Sequence, residues 1–140
     1  MEKPKLNHRI VVKAQIWREG RLLIIKRAPN SDPYPGLWDV PGGSLHAGET
    51  VEQGMRRETQ EETGLSLSRI HPLTTWFTGQ REDLVIGLSF LATSGTETVA
   101  LSEEHTDAVW MTPDQINDFD FPPNLAKEIN WVISKDWHHK

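Results

Sequence analysis

Residues 43–65 constrain the fold more than any other part of the sequence, because they contain a helix with its own start and stop signals. Thr50 and Gln53, three residues apart, are typical of a capping box, and Gly64 suits the position just after the last turn. The helix between them, VEQGMRRETQEET, has a thin apolar stripe. Its internal Gly54 weakens it by about 1 kcal/mol relative to alanine. Burial in a core alone therefore does not explain this helix.

Three acidic residues on this helix suggest what else it does. Glu58, Glu61 and Glu62 stand at i, i+3 and i+4, so their carboxylates share one face, where like charges cost roughly 0.2–0.5 kcal/mol per pair. A divalent cation such as Mg²⁺, which prefers oxygen ligands, would offset that repulsion. The alternative is an ordinary solvated acidic face balanced by Arg56 and Arg57.

A glycine-rich stretch precedes the helix and favours the metal hypothesis. Residues 41–43, Pro-Gly-Gly, predict a tight turn whose backbone can approach a ligand closely, and Gly48-Glu49 predict a second turn into the helix. A glycine turn feeding an acidic helix is poorly suited to bare phosphate. It suits phosphate that is already complexed with a metal ion.

The rest of the chain alternates strands with helices. Apolar and β-branched residues predict a hairpin of strands 9–17 and 21–26 with Glu19-Gly20 as its turn, and two further strands at 69–78 and 84–92. Residues 28–36 are rich in proline and turn formers and predict a loop, and a short extended piece follows at 37–40.

Two more helices are expected near the C-terminus. Thr112-Pro113 with Gln115 predicts a short helix that ends near Phe119, and the apolar spacing after Pro123 predicts a final helix with one buried face. Hairpins alternating with helices indicate an α/β fold in which a mixed sheet lies between helices. A chain of 140 residues has the size of one domain, residues 1–140.

Composition excludes several classes of function. The absence of cysteine excludes thiol nucleophiles, thiolate zinc sites and disulfides, and a formal charge of −5 argues against binding a nucleic-acid polymer. The charged N-terminus and the lack of a long apolar run predict a cytoplasmic protein with no membrane segment. His138 and His139 fall in a tail that is expected to be loose, and neither they nor His46 are assigned a role.

The segment from Gly43 to Leu65 resembles the Nudix box, G-x5-E-x7-R-E-U-x-E-E-x-G-U, in which U is an aliphatic residue. All seven fixed letters match, at Gly43, Glu49, Arg57, Glu58, Glu61, Glu62 and Gly64, and Leu65 satisfies the last U. Thr59 departs from the pattern at the first U, which leaves the acidic residues untouched. The resemblance implies the family's α/β/α sandwich and hydrolysis of a diphosphate bond.

In similar proteins the box residues hold Mg²⁺ or Mn²⁺. The resemblance accordingly assigns metal binding to the carbonyl of Gly42 and to the side chains of Glu58, Glu61 and Glu62. Arg57 is expected to brace the glutamates, since it stands at i, i+4 from Glu61. The reaction implied is attack of a metal-activated water on phosphorus.

The general base has more than one candidate. Glu58 is one, within the box. Glu104 is another, because its position six residues before Trp110 resembles that of a downstream glutamate in MutT-like members, and Glu103 is its rival. Each of the last two could equally be a solvated acid on a loop.

Three residues are candidates for substrate binding. Arg27 ends the second strand, where similar proteins place an arginine that contacts phosphate, although it could be a plain charge at a strand end. Trp38 could stack on a base, but packing under the glycine turn is favoured. Asn124 resembles the base-reading asparagine of MutT-like enzymes, although the spacing from proline differs by one residue, and capping of the last helix is favoured for it.

The leading functional hypothesis is a pyrophosphohydrolase that converts a nucleoside triphosphate, including oxidised or altered ones, to a monophosphate and pyrophosphate. Alternatives are hydrolysis of a nucleotide sugar, a dinucleotide polyphosphate or ADP-ribose. A domain that senses a nucleotide without hydrolysing it is a third hypothesis, disfavoured because no box acid is lost. A homodimer is possible, because relatives often pair.

Overall fold

The structure is a computed structural model that describes residues 8–80 and 82–139. Seven strands lie at Arg9–Arg18 (β1), Arg21–Arg27 (β2), Trp38–Asp39 (β3), Gly42–Ser44 (β4), Leu67–Gln80 (β5), Asp83–Ser94 (β6) and His105–Met111 (β7). The α-helices are Val51–Thr63 (α1) and Leu125–Ser134 (α2), and 3₁₀ helices form at Pro113–Asp118 and Trp137–His139.

The strands form a mixed sheet. Its main path runs β3-β2-β1-β6-β5, with β4 paired to β1 and β7 paired to β2. β1 and β6 are parallel, from Arg9 opposite Val85 to Ile16 opposite Ala92, and the other pairs are antiparallel. The predicted mixed sheet is therefore confirmed.

β1 and β2 lie at the centre, and both of their faces are buried. Side chains from alternate positions along these strands enter two separate cores, as expected for a sheet covered on both sides. The α1-side core contains Val12, Ala14, Ile16, Leu23, Ile25, Met55, Leu65, Leu67 and Ala92. The α2-side core contains Trp17, Leu22, Ile24, Val40, Met111, Ile116, Ile129 and Val132. The arrangement confirms the α/β/α sandwich.

The local signals around α1 are confirmed in detail. The Thr50 hydroxyl accepts from the Gln53 amide at 3.1 Å, and the Gln53 side chain accepts from the Thr50 amide at 2.9 Å. Gly64 ends the helix with φ 74°, a left-handed conformation that glycine adopts without strain. The hairpin turn at Glu19-Gly20 is likewise present, with φ 52° and 75°.

Four parts of the chain differ from expectation. Gly42–Ser44 form the strand β4 paired with β1, where a tight turn was expected at residues 41–43. β7 is absent from the predicted elements, although it pairs with β2 over most of its length. The tail expected to be loose forms the 3₁₀ helix Trp137–His139. Asn124 stands at the start of α2, but its φ of 72° is left-handed and its side chain makes no capping hydrogen bond, so the favoured capping role is wrong. Within the described residues, no helix is long and apolar enough to cross a membrane.

Candidate active site

β4 contains Gly42 and Gly43 and pairs with the middle of β1, opposite Lys13 and Val12. This pairing places the two glycines beside α1. A side chain at Gly42 would collide with the Val12 carbonyl, and a Cβ at Gly43 would lie 2.6 Å from the Glu58 carboxyl carbon. The Gly42 amide donates to Glu62 Oε1 at 3.2 Å. Gly42 therefore allows β4 to lie close against β1, and Gly43 allows the backbone to lie directly against the Glu58 carboxylate.

Arg57 joins the acidic residues of the segment. Its Nε and Nη2 bind the two carboxylate oxygens of Glu49 at 2.6 and 3.0 Å. Its Nη1 contacts Glu58 at 3.0 Å and Glu61 at 3.2 Å, and Nη2 also donates to the Ser44 carbonyl at 3.1 Å. These charge-assisted bonds raise the pKa of Arg57 further above its ordinary value, with Glu49 the largest cause.

Glu49 holds the junction between the loop and the helix. Its Oε1 accepts from the His46 amide at 2.7 Å while both oxygens bind Arg57. These hydrogen bonds, that to Arg57 above all, lower the pKa of Glu49 to about 2. Glu49 is thus fully engaged in the fold of the loop.

Glu62 is the buried member of the cluster, with its side chain 5% exposed. Burial raises its pKa to about 8, against the opposing effects of Lys13 and of the hydrogen bond from Gly42. A carboxylate in this position is costly to ionise without a positive charge close to it.

His105 is a site residue that sequence reasoning missed. Its Nε2 lies 3.5 Å from Glu62 Oε2, its side chain is 6% exposed, and its buried Nδ1 has no hydrogen-bond partner within the described part of the chain. Burial is the main reason that its pKa falls to about 4, with help from the positive charges of Arg27 and Lys13. A neutral histidine at neutral pH therefore faces Glu62. No local pattern in the sequence marks His105, which directly follows Glu104.

Lys13 and Asp39 were also missed. Lys13 Nζ binds Asp39 Oδ2 at 2.9 Å, and Arg27 Nη1 reaches the same oxygen at 3.3 Å. Arg27 Nε donates to the Pro33 carbonyl at 3.1 Å. A lysine within the apolar run IVVKAQIW was the signal that could have identified this cluster. Arg27 therefore belongs to a network of charges and is not a free charge at a strand end.

The loop that carries Glu103 and Glu104 lies beside α1. The Ser102 amide donates to the Glu62 carbonyl at 3.2 Å, and the Ala28 amide donates to the Glu104 carbonyl at 3.0 Å. Both glutamate side chains are exposed. The fold thus brings the loop next to α1 and leaves the two carboxylates in solvent.

Trp38 and the segment before α2 form an aromatic wall. Trp38 packs edge-on against Phe119 at 5.1 Å between ring centres, and its amide donates to the Asp120 carbonyl at 2.8 Å. Phe121 lies 6.4 Å from Phe119, and Asn124 follows three residues later at the start of α2. Trp38 packs against the α2-side core, whereas packing under the glycine turn was expected from the sequence.

The donors around α1 fit a hard divalent cation. Glu58 and Glu61 each use one oxygen for Arg57, and their second oxygens accept no hydrogen bond from any residue that the structure describes. Glu62 Oε2 lies 3.5 Å from the neutral His105, and burial outweighs the opposing charge of Lys13. Oxygen donors of this kind, with room kept by two glycines, match the preferences of Mg²⁺ and Mn²⁺.

Comparison with known proteins gives a consistent picture. The family model described as the NUDIX domain matches residues 7–132. Nucleoside triphosphatase NudI from Escherichia coli is 32% identical over 135 residues, which cover 89% of this chain and 96% of that relative.

Solved structures resemble the chain over nearly its whole length. The MutT protein from Methanosarcina mazei Go1 superimposes with a TM-score of 0.80 at 26% identity, covering 96% of this chain and 99% of that one. The NUDIX domain of Shewanella oneidensis NrtR, solved with ADP-ribose, gives a TM-score of 0.73 at 19% identity, covering 94% and 90%. At that identity the second likeness concerns the fold alone.

Proposed function

The chain belongs to the Nudix family, and on that premise we propose that it cleaves the diphosphate linkage of a nucleoside triphosphate to a nucleoside monophosphate and pyrophosphate. The relative named nucleoside triphosphatase, matched over 96% of its length, supports this substrate class. Oxidised or otherwise altered nucleotides belong to the same class of substrate.

One observation carries the proposal. Glu62 and Glu58 lie against Gly42 and Gly43, Glu61 is joined to Glu58 through Arg57, and Glu58 and Glu61 each keep one carboxylate oxygen that no described residue uses. We propose that these three side chains and the Gly42 carbonyl hold Mg²⁺, with Mn²⁺ as its natural substitute. A bound ion of this kind lowers the pKa of a coordinated water and neutralises charge on the phosphates.

The protein's own groups then have distinct tasks. Arg57 and Glu49 hold the carboxylates in place, because the arginine binds all three of Glu49, Glu58 and Glu61. Water attacks phosphorus, one P–O bond of the diphosphate linkage breaks, and the proton of the water passes to a carboxylate. Glu58 and Glu104 are the candidates for that base, with Glu103 as the rival of Glu104.

Three residues are proposed to bind the substrate. Trp38, next to Phe119, offers a surface for a nucleobase, and Asn124 lies close in sequence to that wall with a side chain that caps no helix. Arg27 would contact phosphate by sharing its guanidinium between Asp39 and the ligand. Substitution of each by alanine should raise KM more than it lowers kcat, since binding is affected before chemistry.

The test is a product assay over canonical and oxidised nucleoside triphosphates, nucleotide sugars, dinucleotide polyphosphates and ADP-ribose, each with Mg²⁺. We expect pyrophosphate from triphosphates, and at least about a hundredfold less from Glu61→Gln and Glu62→Gln, as for lost electrostatic stabilisation. Glu52→Gln is the matched control, because Glu52 is exposed on α1 and pairs with Arg56.

The same assay decides between the alternatives. Product from a nucleotide sugar, a dinucleotide or ADP-ribose, with none from triphosphates, would reassign the substrate. Tight calorimetric binding of a nucleotide with no product over hours would identify a sensing domain and overturn hydrolysis. Exchange of Mg²⁺ for Mn²⁺ in the assay establishes which ion is preferred.

Finer properties of the whole protein are part of the proposal. A nucleotide substrate supports action in the cytoplasm. Both cores share one sheet, which supports a single domain over residues 1–140.

β5 ends the main path of the sheet and carries Phe77 with 72% of its surface exposed, which supports a homodimer through this strand. Light scattering of the wild type and of Phe77→Glu tests the dimer.

A further inference from the structure

The C-terminal turn gathers three metal-binding side chains that the proposed hydrolysis does not use. After α2 the chain reverses at Asp136, whose φ is 58°, and continues into the 3₁₀ helix of Trp137–His139. Asp136, His138 and His139 each place one donor atom within 4.8 Å of the others. We call these three residues the tail triad.

The contacts of the two histidines are not explained by hydrogen bonding. Their rings lie 3.9 Å apart between centres, and His138 Nδ1 is buried without a partner among the residues described. His139 Nε2 lies 3.7 Å from Asp136 Oδ1, which is too long for a good hydrogen bond. Three groups able to bind a cation are thus close together and incompletely satisfied by one another.

The two histidine side chains of the tail triad pack on the β1–β2 hairpin. His138 packs against Trp17 at the end of β1, with ring centres 5.3 Å apart. His139 lies over Gly20 in the hairpin turn, so closely that a Cβ there would be 3.1 Å from its Cε1. Both imidazoles therefore pack on the turn end of the β1–β2 hairpin.

The surroundings leave room for an ion and its water. A groove of about 720 Å³ opens beside the turn, and His138 and His139 line it, whereas Asp136 lies outside its lining. None of the groove's lining residues belongs to the Gly43–Leu65 segment. Water can complete the coordination.

The donor set identifies the kind of ion. Two imidazole nitrogens and one carboxylate oxygen suit Zn²⁺ and the neighbouring ions Co²⁺, Ni²⁺ and Cu²⁺, whereas Mg²⁺ prefers oxygen ligands alone. We propose that Asp136, His138 and His139 bind a divalent transition ion, Zn²⁺ foremost. This site is separate from the glutamate cluster, which is the proposed Mg²⁺ site of Glu58, Glu61 and Glu62. The bound ion fixes the C-terminal turn over the β1–β2 hairpin.

The experiment is equilibrium dialysis of the full-length protein against Zn²⁺ with Mg²⁺ in large excess, followed by metal analysis. Wild type should retain about one zinc per chain more than the double variant His138→Ala/His139→Ala, because three protein ligands are needed for a tight site. His8→Ala is the matched control, since it removes an exposed histidine outside the tail triad. Equal zinc content in wild type and the double variant would overturn the proposal.

Two further measurements distinguish zinc binding at the tail triad from zinc binding at the glutamate cluster, and from loss of zinc through unfolding of a variant. Glu61→Gln/Glu62→Gln should keep the zinc that the tail triad binds, and its loss there would also refute the proposal. Cu²⁺ bound to wild type should show hyperfine coupling to imidazole nitrogen by electron paramagnetic resonance, and Asp136→Asn should keep that coupling with affinity reduced about tenfold or more. A spectrum with oxygen ligands only would contradict the assignment, whatever the stability of the alanine variants.

Discussion

At the scale of single residues, chemically identical carboxyl groups of the site differ in pKa because their surroundings differ. Glu49, Glu61 and Glu62 are all carboxylic acids of one short segment, yet Glu49 is ionised far below neutral pH whereas burial raises the pKa of Glu62 to about 8. The difference arises because Arg57 binds Glu49 twice, while Glu62 is buried beside a neutral His105.

Arg57→Lys tests whether the guanidinium positions the glutamates. Lysine keeps the charge but cannot donate to Glu49, Glu58 and Glu61 at once, so we expect about a 10- to 100-fold loss in Mg²⁺ affinity or kcat. Metal titration of the rate of pyrophosphate release measures both. Arg56→Lys is the control, because Arg56 contacts Glu52 and the Leu67 carbonyl and should change neither quantity. Equal behaviour of the two variants would contradict the role of Arg57.

The metal-free protein should lose stability between pH 6.5 and 8. The folded pKa of Glu62 is above its ordinary 4.5, so its contribution to stability falls as pH rises from 4.5 to about 8. The folded pKa of His105 is below its ordinary 6.5, so its contribution rises between about 4 and 6.5. The two effects oppose each other up to pH 6.5, and above it only that of Glu62 remains.

The expected fall in the free energy of unfolding over that window is about 2 kcal/mol, since one pKa unit corresponds to roughly 1.4 kcal/mol. Urea denaturation in the presence of a chelator measures it. Glu62→Gln should show no fall between pH 6.5 and 8, and saturating Mg²⁺ should reduce the fall in wild type. The same slope in wild type and Glu62→Gln would show that another group titrates.

At the scale of elements, α1 keeps a glycine that its own stability disfavours. A Cβ at Gly54 would collide with Leu45 Cδ2 and lie 3.2 Å from Glu49 Oε1. The Leu45 side chain, which packs against the α1-side core, must shift to admit a Cβ at this position.

Gly54→Ala should therefore destabilise the protein although alanine is the better helix former. We expect the free energy of unfolding to fall by about 1–3 kcal/mol, as for an overpacked core. In a Leu45→Ala background the same change should be neutral or stabilising, by up to about 1 kcal/mol. Chemical denaturation of the four proteins of this cycle provides the measurement, and equal effects in both backgrounds would exclude the clash with Leu45.

At the scale of the whole molecule, one sheet separates two cores and supplies side chains to both. Alternate residues of β1 and β2 face α1 on one side and α2 on the other. Neither core can lose its sheet face without exposing the other core. The two halves are therefore expected to unfold together.

Met55→Ala and Ile129→Ala test this coupling from opposite sides of the sheet, since both side chains are fully buried. Each should lower the free energy of unfolding by about 2–5 kcal/mol and shift one shared transition. Tryptophan fluorescence and far-ultraviolet circular dichroism should give the same midpoint for each variant. Separate midpoints for the two probes would mean that the cores unfold independently.

Much of the molecule was predictable because its signals are local. The capping box at Thr50, the left-handed Gly64 and the acidic spacing of Glu58, Glu61 and Glu62 depend only on residues within a few positions of one another. The hairpin at Glu19-Gly20 and the mixed sheet follow from similar short-range patterns. The strand β7 was not predicted from the sequence. Its residues, HTDAVWM, form a strand through pairing with β2 and carry no turn signal of their own at the start.

The sequence by itself determined the β1–β2 hairpin, both ends of α1 and its acidic face, since each is set by propensity, periodicity or a nearby cap. Only the tertiary structure decided which of those acids is buried, that His105 and Lys13 lie near Glu62, and that Arg27 is bound to Asp39. It also decided that the tail packs on Trp17. The physical reason is that desolvation and charge pairing depend on residues distant along the chain, and no local pattern specifies which of them become neighbours.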